Sequence, residues 1–193
     1  FKNVSMIRPH LQVRMPSFEY TDEEWNDLIS YFQQKDNLDL IYEDPHNFTL
    51  NSSSFKAGER IAEMGACINC HFYGAEKTKQ DALTWAPNLV LTKERLRPEW
   101  LVEWFINPQD VMPGTKMPAP YIPTEEPQNS IREVWGSDVA KISRDSTKLY
   151  KSLIDWMWGM EGRKDVSSIV KRHLNSQGYG FIIEEEDDWG DEW

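Results

Sequence analysis

Both cysteines of the 193-residue chain stand in one pentapeptide, Cys67-Ile68-Asn69-Cys70-His71, and that placement restricts what the chain can fold around. Two thiols on one short turn, with a histidine directly after them, fit the attachment of a c-type haem. On one turn of helix both thiols can reach the two vinyl groups of the porphyrin and form thioethers. The next side chain, His71, then lies beneath the iron and can bind it axially. Other readings of the pair need other surroundings. A thioredoxin-type redox pair follows a strand in a βαβ pattern, which this sequence lacks. A structural zinc site takes four ligands, usually from two knuckles. Here there is no second knuckle, and only His10, His46 and His173 remain as nitrogen donors. A disulfide across so short a loop would stabilise little.

Composition narrows the class of protein. The 39% hydrophobic content and nine tryptophans suffice for a packed core. A net charge of −11 argues against nucleic-acid binding, which needs a basic face, and favours partners with basic surfaces. No apolar run approaches the length of a membrane span. The chain opens at Phe1 without a signal-peptide pattern, so any leader or membrane anchor is expected outside this sequence.

The pattern along the chain predicts a mainly α fold with irregular loops. Residues 1–20 are punctuated by Arg8-Pro9 and Arg14-Met15-Pro16 and read as extended. Thr21 to Glu24 is a capping box that opens a helix with Trp25, Leu28, Ile29 and Phe32 on one face. Residues 37–53 read as a linker. A helix after Ser54 leads to the cysteines, with Phe55, Gly58, Ile61, Ala62 and Gly65 at helical spacing. Pro98 suits the first position of a further helix bearing Leu101, Val102 and Phe105, which Asn107-Pro108 should stop. Met112 to Pro120 is too rich in proline for regular structure, and such a loop holds a methionine in place at little entropic cost. Residues 121–144 read as polar and irregular, with room for short helical turns. Ser146 is the expected cap of a last strong helix with Leu149, Leu153, Trp156, Met157 and Met160 on one face. A short helix follows within 161–174, then an acidic tail, Glu184 to Trp193, read as a solvated block of like charge.

Taken together, residues 54–160 resemble the mono-haem, class I cytochrome c domain. The matching pieces are the helix into Cys67-Ile68-Asn69-Cys70-His71, the loop Ala86-Pro87-Asn88-Leu89, the helix from Arg97-Pro98-Glu99-Trp100-Leu101, the Pro113-Gly114-Thr115-Lys116-Met117-Pro118 loop and a closing amphipathic helix. The resemblance implies thioethers at Cys67 and Cys70, and His71 and Met117 as axial ligands of the iron. It also implies that the Pro87 carbonyl accepts the His71 ring N–H, and that Gly58 meets Trp156 or Tyr150 where the first and last helices cross. Met112, also before proline, is the rival to Met117 but stands outside the family position. The stretch 119–145 is a long insertion for this family, and 161–193 an extension beyond it.

Residues 1–36 repeat the design of the Met117 loop and its following helix. They look like the distal half of a further cytochrome c-like domain, with Met15 as axial ligand of a second haem attached elsewhere. The function implied is electron transfer by covalent haem c, in a carrier or in a redox subunit of a larger respiratory complex, rather than catalysis by the chain itself. A haem enzyme or gas sensor with an open or displaceable distal site is the alternative. The implied location is periplasmic or otherwise exported.

Overall fold

Helix α8, Ser146–Trp158, is buried almost all round, because Leu149, Tyr150 and every residue from Ser152 to Trp158 lie inside. Only a helix covered on several sides reads this way, and the helices Ser53–Met64, Thr92–Arg95, Pro98–Ile106 and Ser137–Ile142 all pack on α8. The computed structural model describes residues 18–36, 46–74, 84–176 and 178. Met15, the first part of the linker and the acidic tail lie outside the described residues.

In chain order, α1 is Asp22–Asp36, α2 Ser53–Met64, α3 Thr92–Arg95, α4 Pro98–Ile106 and α5 Pro108–Val111. Then come α6 Gln128–Val134, α7 Ser137–Ile142, α8 and α9 Ser167–Ser176. The chain is mainly helical; among the described residues the pairing of His71 with Ala86 is an isolated bridge outside any strand.

The capping box of α1 is formed reciprocally. The Thr21 N–H donates to Glu24 Oε2 at 2.8 Å and the Glu24 N–H to Thr21 Oγ1 at 3.3 Å. Its apolar face is only partly covered: Trp25 is buried beneath Tyr20, while Ile29 and Phe32 are exposed.

Helix α2 starts two residues earlier than expected, with Ser52 as cap accepting the Phe55 N–H at 3.1 Å. It crosses α8 at Gly58. A Cβ placed on Gly58 would lie 1.8 Å from the Ser152 carbonyl oxygen and 2.4 Å from its carbon. The small residue therefore faces backbone at Ser152, not Trp156 or Tyr150. Those rings are engaged elsewhere: Tyr150 stacks on Phe105 and Trp156 meets Tyr73 edge-on. Spacing identified the face of α2 but not its register on α8. Ahead of α2, His46 Nε2 pairs with Asp155 Oδ1 of α8 at 2.7 Å.

The short helical turns allowed within 121–144 are present as α6 and α7, but the stretch is packed rather than polar throughout. Within it α6 and α7 bury Ile131, Trp135, Val139 and Ala140 against the main core, and α7 contacts α2. Gly136, at φ +89°, separates the two helices, while Ile131, Trp135 and Val139 keep an i, i+4, i+8 spacing across it. Asp145, not Ser146, caps α8 by accepting the Lys148 N–H at 3.1 Å. Asn107 ends α4, and Pro108 begins α5 at once rather than stopping all helix. Past α8, helix α9 closes a second, smaller core in which Val166, Val170 and Leu174 cover Phe72 and Trp85. No described helix is long and apolar enough to cross a membrane.

Candidate functional site

Helix α2 ends at Gly65, and Ala66 turns the chain sharply with φ +52°, a left-handed conformation costly for any residue with a Cβ. The pentapeptide follows as a 3-10 turn over Cys67–Asn69 rather than an α-helical one. The Cys70 N–H donates to the Cys67 carbonyl at 3.2 Å and the His71 N–H to the same oxygen at 2.9 Å. Cys67 opens this turn and Cys70 closes it, near enough for one thiol to bear on the charge of the other. Both are free and half-buried. Burial pushes the Cys67 thiol up, and the neighbouring Cys70 adds to the shift against an opposing backbone hydrogen bond.

The His71 imidazole is fixed from the next strand of chain. Its backbone bridges to Ala86, and the Ala86 N–H donates to the Cys70 carbonyl at 2.8 Å. This brings the Pro87 carbonyl 2.8 Å from His71 Nδ1. A carbonyl only accepts, so Nδ1 carries the proton and Nε2 keeps its lone pair. Burial holds the His71 pKa below the usual histidine range, with the Pro87 hydrogen bond opposing it. A neutral imidazole with a free Nε2 is the form that binds metal.

Asn88 supports this loop, a role that its place beside Pro87 did not reveal. Its side-chain oxygen accepts the N–H groups of Gly74 (3.0 Å) and Val90 (3.2 Å). Its amide donates to the carbonyls of Arg163 (2.9 Å) and Lys164 (3.1 Å). Asn88 is 3% exposed and its bonds to the Gly74 and Val90 N–H groups are buried, so water does not readily replace it there. Asn88→Ala is expected to destabilise the protein by about 3 kcal/mol, since buried polar groups left unpaired each cost 1–3 kcal/mol. Urea unfolding reads this directly, and a loss under about 1 kcal/mol would show that the four bonds matter little.

The methionine loop is stapled by Gln109, which sequence reasoning also passed over. The Gln109 amide donates to the Thr115 carbonyl, and its oxygen accepts the Gly114 N–H at 3.2 Å. The Met117 N–H in turn donates to Thr115 Oγ1 at 3.3 Å. Met117 is half-buried and packs on the main core, whereas Met112 is 50% exposed. Trp104 donates its indole N–H to Met117 Sδ at 2.9 Å and stacks on Trp100. Cys67, Tyr73, Trp100, Trp104 and Met117 thus all border the same core. Leu101 and Phe105 lie inside it.

The donor set suits a covalently held haem: two free thiols at the ends of one short turn, a neutral imidazole with its tautomer fixed, and a thioether in a stapled loop. Met15 is outside the described residues. No protein-family model, no curated protein and no solved structure matches this chain.

Proposed function

We propose that this chain is an electron-transfer protein of the class I cytochrome c type, carrying one covalent haem c with His71 and Met117 as axial ligands. The observation that carries the reading is the hydrogen bond from His71 Nδ1 to the Pro87 carbonyl, one residue beyond two free thiols. It leaves Nε2 as the donor atom and fixes the plane of the ring.

When bound, haem c supplies a one-electron couple between Fe(II) and Fe(III). Cys67 and Cys70 would tether it, and His71 nitrogen and Met117 sulfur would bind its iron. A soft thioether favours the reduced iron and raises the potential relative to two histidines. With His71 and Met117 both bound to the iron, the chain would pass electrons rather than bind substrate. Its net charge of −11 favours basic docking surfaces and salt-sensitive association. The setting we propose is the periplasm or another exported location, as a carrier or a subunit of a multi-subunit respiratory complex. In that setting Met15, before α1, would complete a second haem site whose cysteines lie in another segment or chain.

Expression with export and haem-attachment machinery tests this. Colour is expected to remain on the polypeptide through acid–acetone extraction, and the reduced protein is expected not to bind carbon monoxide at neutral pH. Complete loss of colour to the solvent would overturn the proposal. An iron count of one per copy of this chain in the assembled complex would remove the second site at Met15.

A further inference from the structure

We propose that Trp104 is a positioning residue for the Met117 sulfur, its indole N–H occupying one thioether lone pair so that the other is directed at the iron. The inference rests on the reading of Met117 as a ligand and adds to it a residue that neither motif contains.

Gln109 and Thr115 restrain the backbone of the 112–117 loop. They leave the methionine side chain, with its rotatable bonds, free to place sulfur in several positions. The 2.9 Å contact with Trp104 Nε1 removes that freedom. Trp104 is itself held on two sides. It stacks one turn from Trp100, with ring centroids 5.1 Å apart and planes 16° from parallel. Its helix α4 is anchored by Leu101 and Phe105 in the core. Indole N–H is a donor without acceptor capacity, and thioether sulfur is a weak acceptor, so the pairing has one polarity only.

Two consequences follow. The sulfur is oriented by the protein before it meets iron, which lowers the entropic cost of binding it. Donation also draws electron density from sulfur, so the ligand supports Fe(III) less well and the potential rises.

The test uses the full chain as purified. The Trp104 indole hydrogen is expected to exchange with solvent about tenfold more slowly than that of an unpaired indole of equal exposure. Exchange at the unpaired rate would overturn the inference, whether or not haem is attached. Trp104→Phe keeps an aromatic ring and removes the donor. In haem-loaded protein its midpoint potential is expected to fall, with faster carbon monoxide uptake by the reduced form. An unchanged potential with haem attached would overturn the positioning role alone. A wild-type chain without covalent haem would instead overturn the functional reading, and this inference with it.

Discussion

Gly58→Ala is expected to destabilise the fold by about 3 kcal/mol or more, as overpacking against immovable atoms does. The added Cβ would sit 1.8 Å from the Ser152 carbonyl oxygen, and the atoms it meets are backbone, which no rotamer change can move aside. Helices α2 and α8 would have to separate, loosening Ala57, Ile61 and Ala62 from Leu149 and Leu153. The sign decides between two effects. Helix propensity alone favours alanine over glycine by about 1 kcal/mol, so a stabilised variant would show that the crossing is not close. Denaturant unfolding of Gly58→Ala beside Gly65→Ala makes the comparison: a Cβ at Gly65 comes no nearer than 3.1 Å to the Ile61 carbonyl oxygen.

The second large effect follows from the proposed ligation. Met117→Ala is expected to turn a reduced protein that ignores carbon monoxide into one that binds it stoichiometrically. Its midpoint potential is expected to drop by on the order of 0.1 V, because the thioether that favours Fe(II) is gone. Met112→Ala, at a residue 50% exposed, is expected to leave both properties unchanged. If Met112→Ala opened the iron and Met117→Ala did not, the ligand assignment would be reversed.

What could be read from the sequence was whatever is decided within a few residues. The Thr21–Glu24 box, Pro98 at the head of α4 and the apolar spacing of α8 are local properties, and each helix lies where its residues imply. The pentapeptide was equally plain, although its turn is wound as a 3-10 helix. Hidden were the properties that depend on distant partners. Asn88 acts through carbonyls at Arg163 and Lys164, Trp104 through a sulfur beyond α5, and Gly58 through a register that periodicity cannot supply. Of residues 128–142 short helices were legible but not their burial, because polar and charged residues separate Ile131, Trp135 and Val139. The exposure of Ile29 and Phe32 shows the converse, a helical face legible in sequence whose cover is not provided by the described residues.

The reach of Asn88 has a practical corollary for anyone dissecting this protein. A fragment trimmed at Met160 would retain both thiols, His71, Pro87 and Met117, every atom that a motif search would protect. It would lack the Arg163 and Lys164 carbonyls from which Asn88 hangs, and the α9 residues that roof Phe72 and Trp85. The keystone of the imidazole's mounting lies outside the span by which the motif is recognised, so a minimal unit must extend through Ser176.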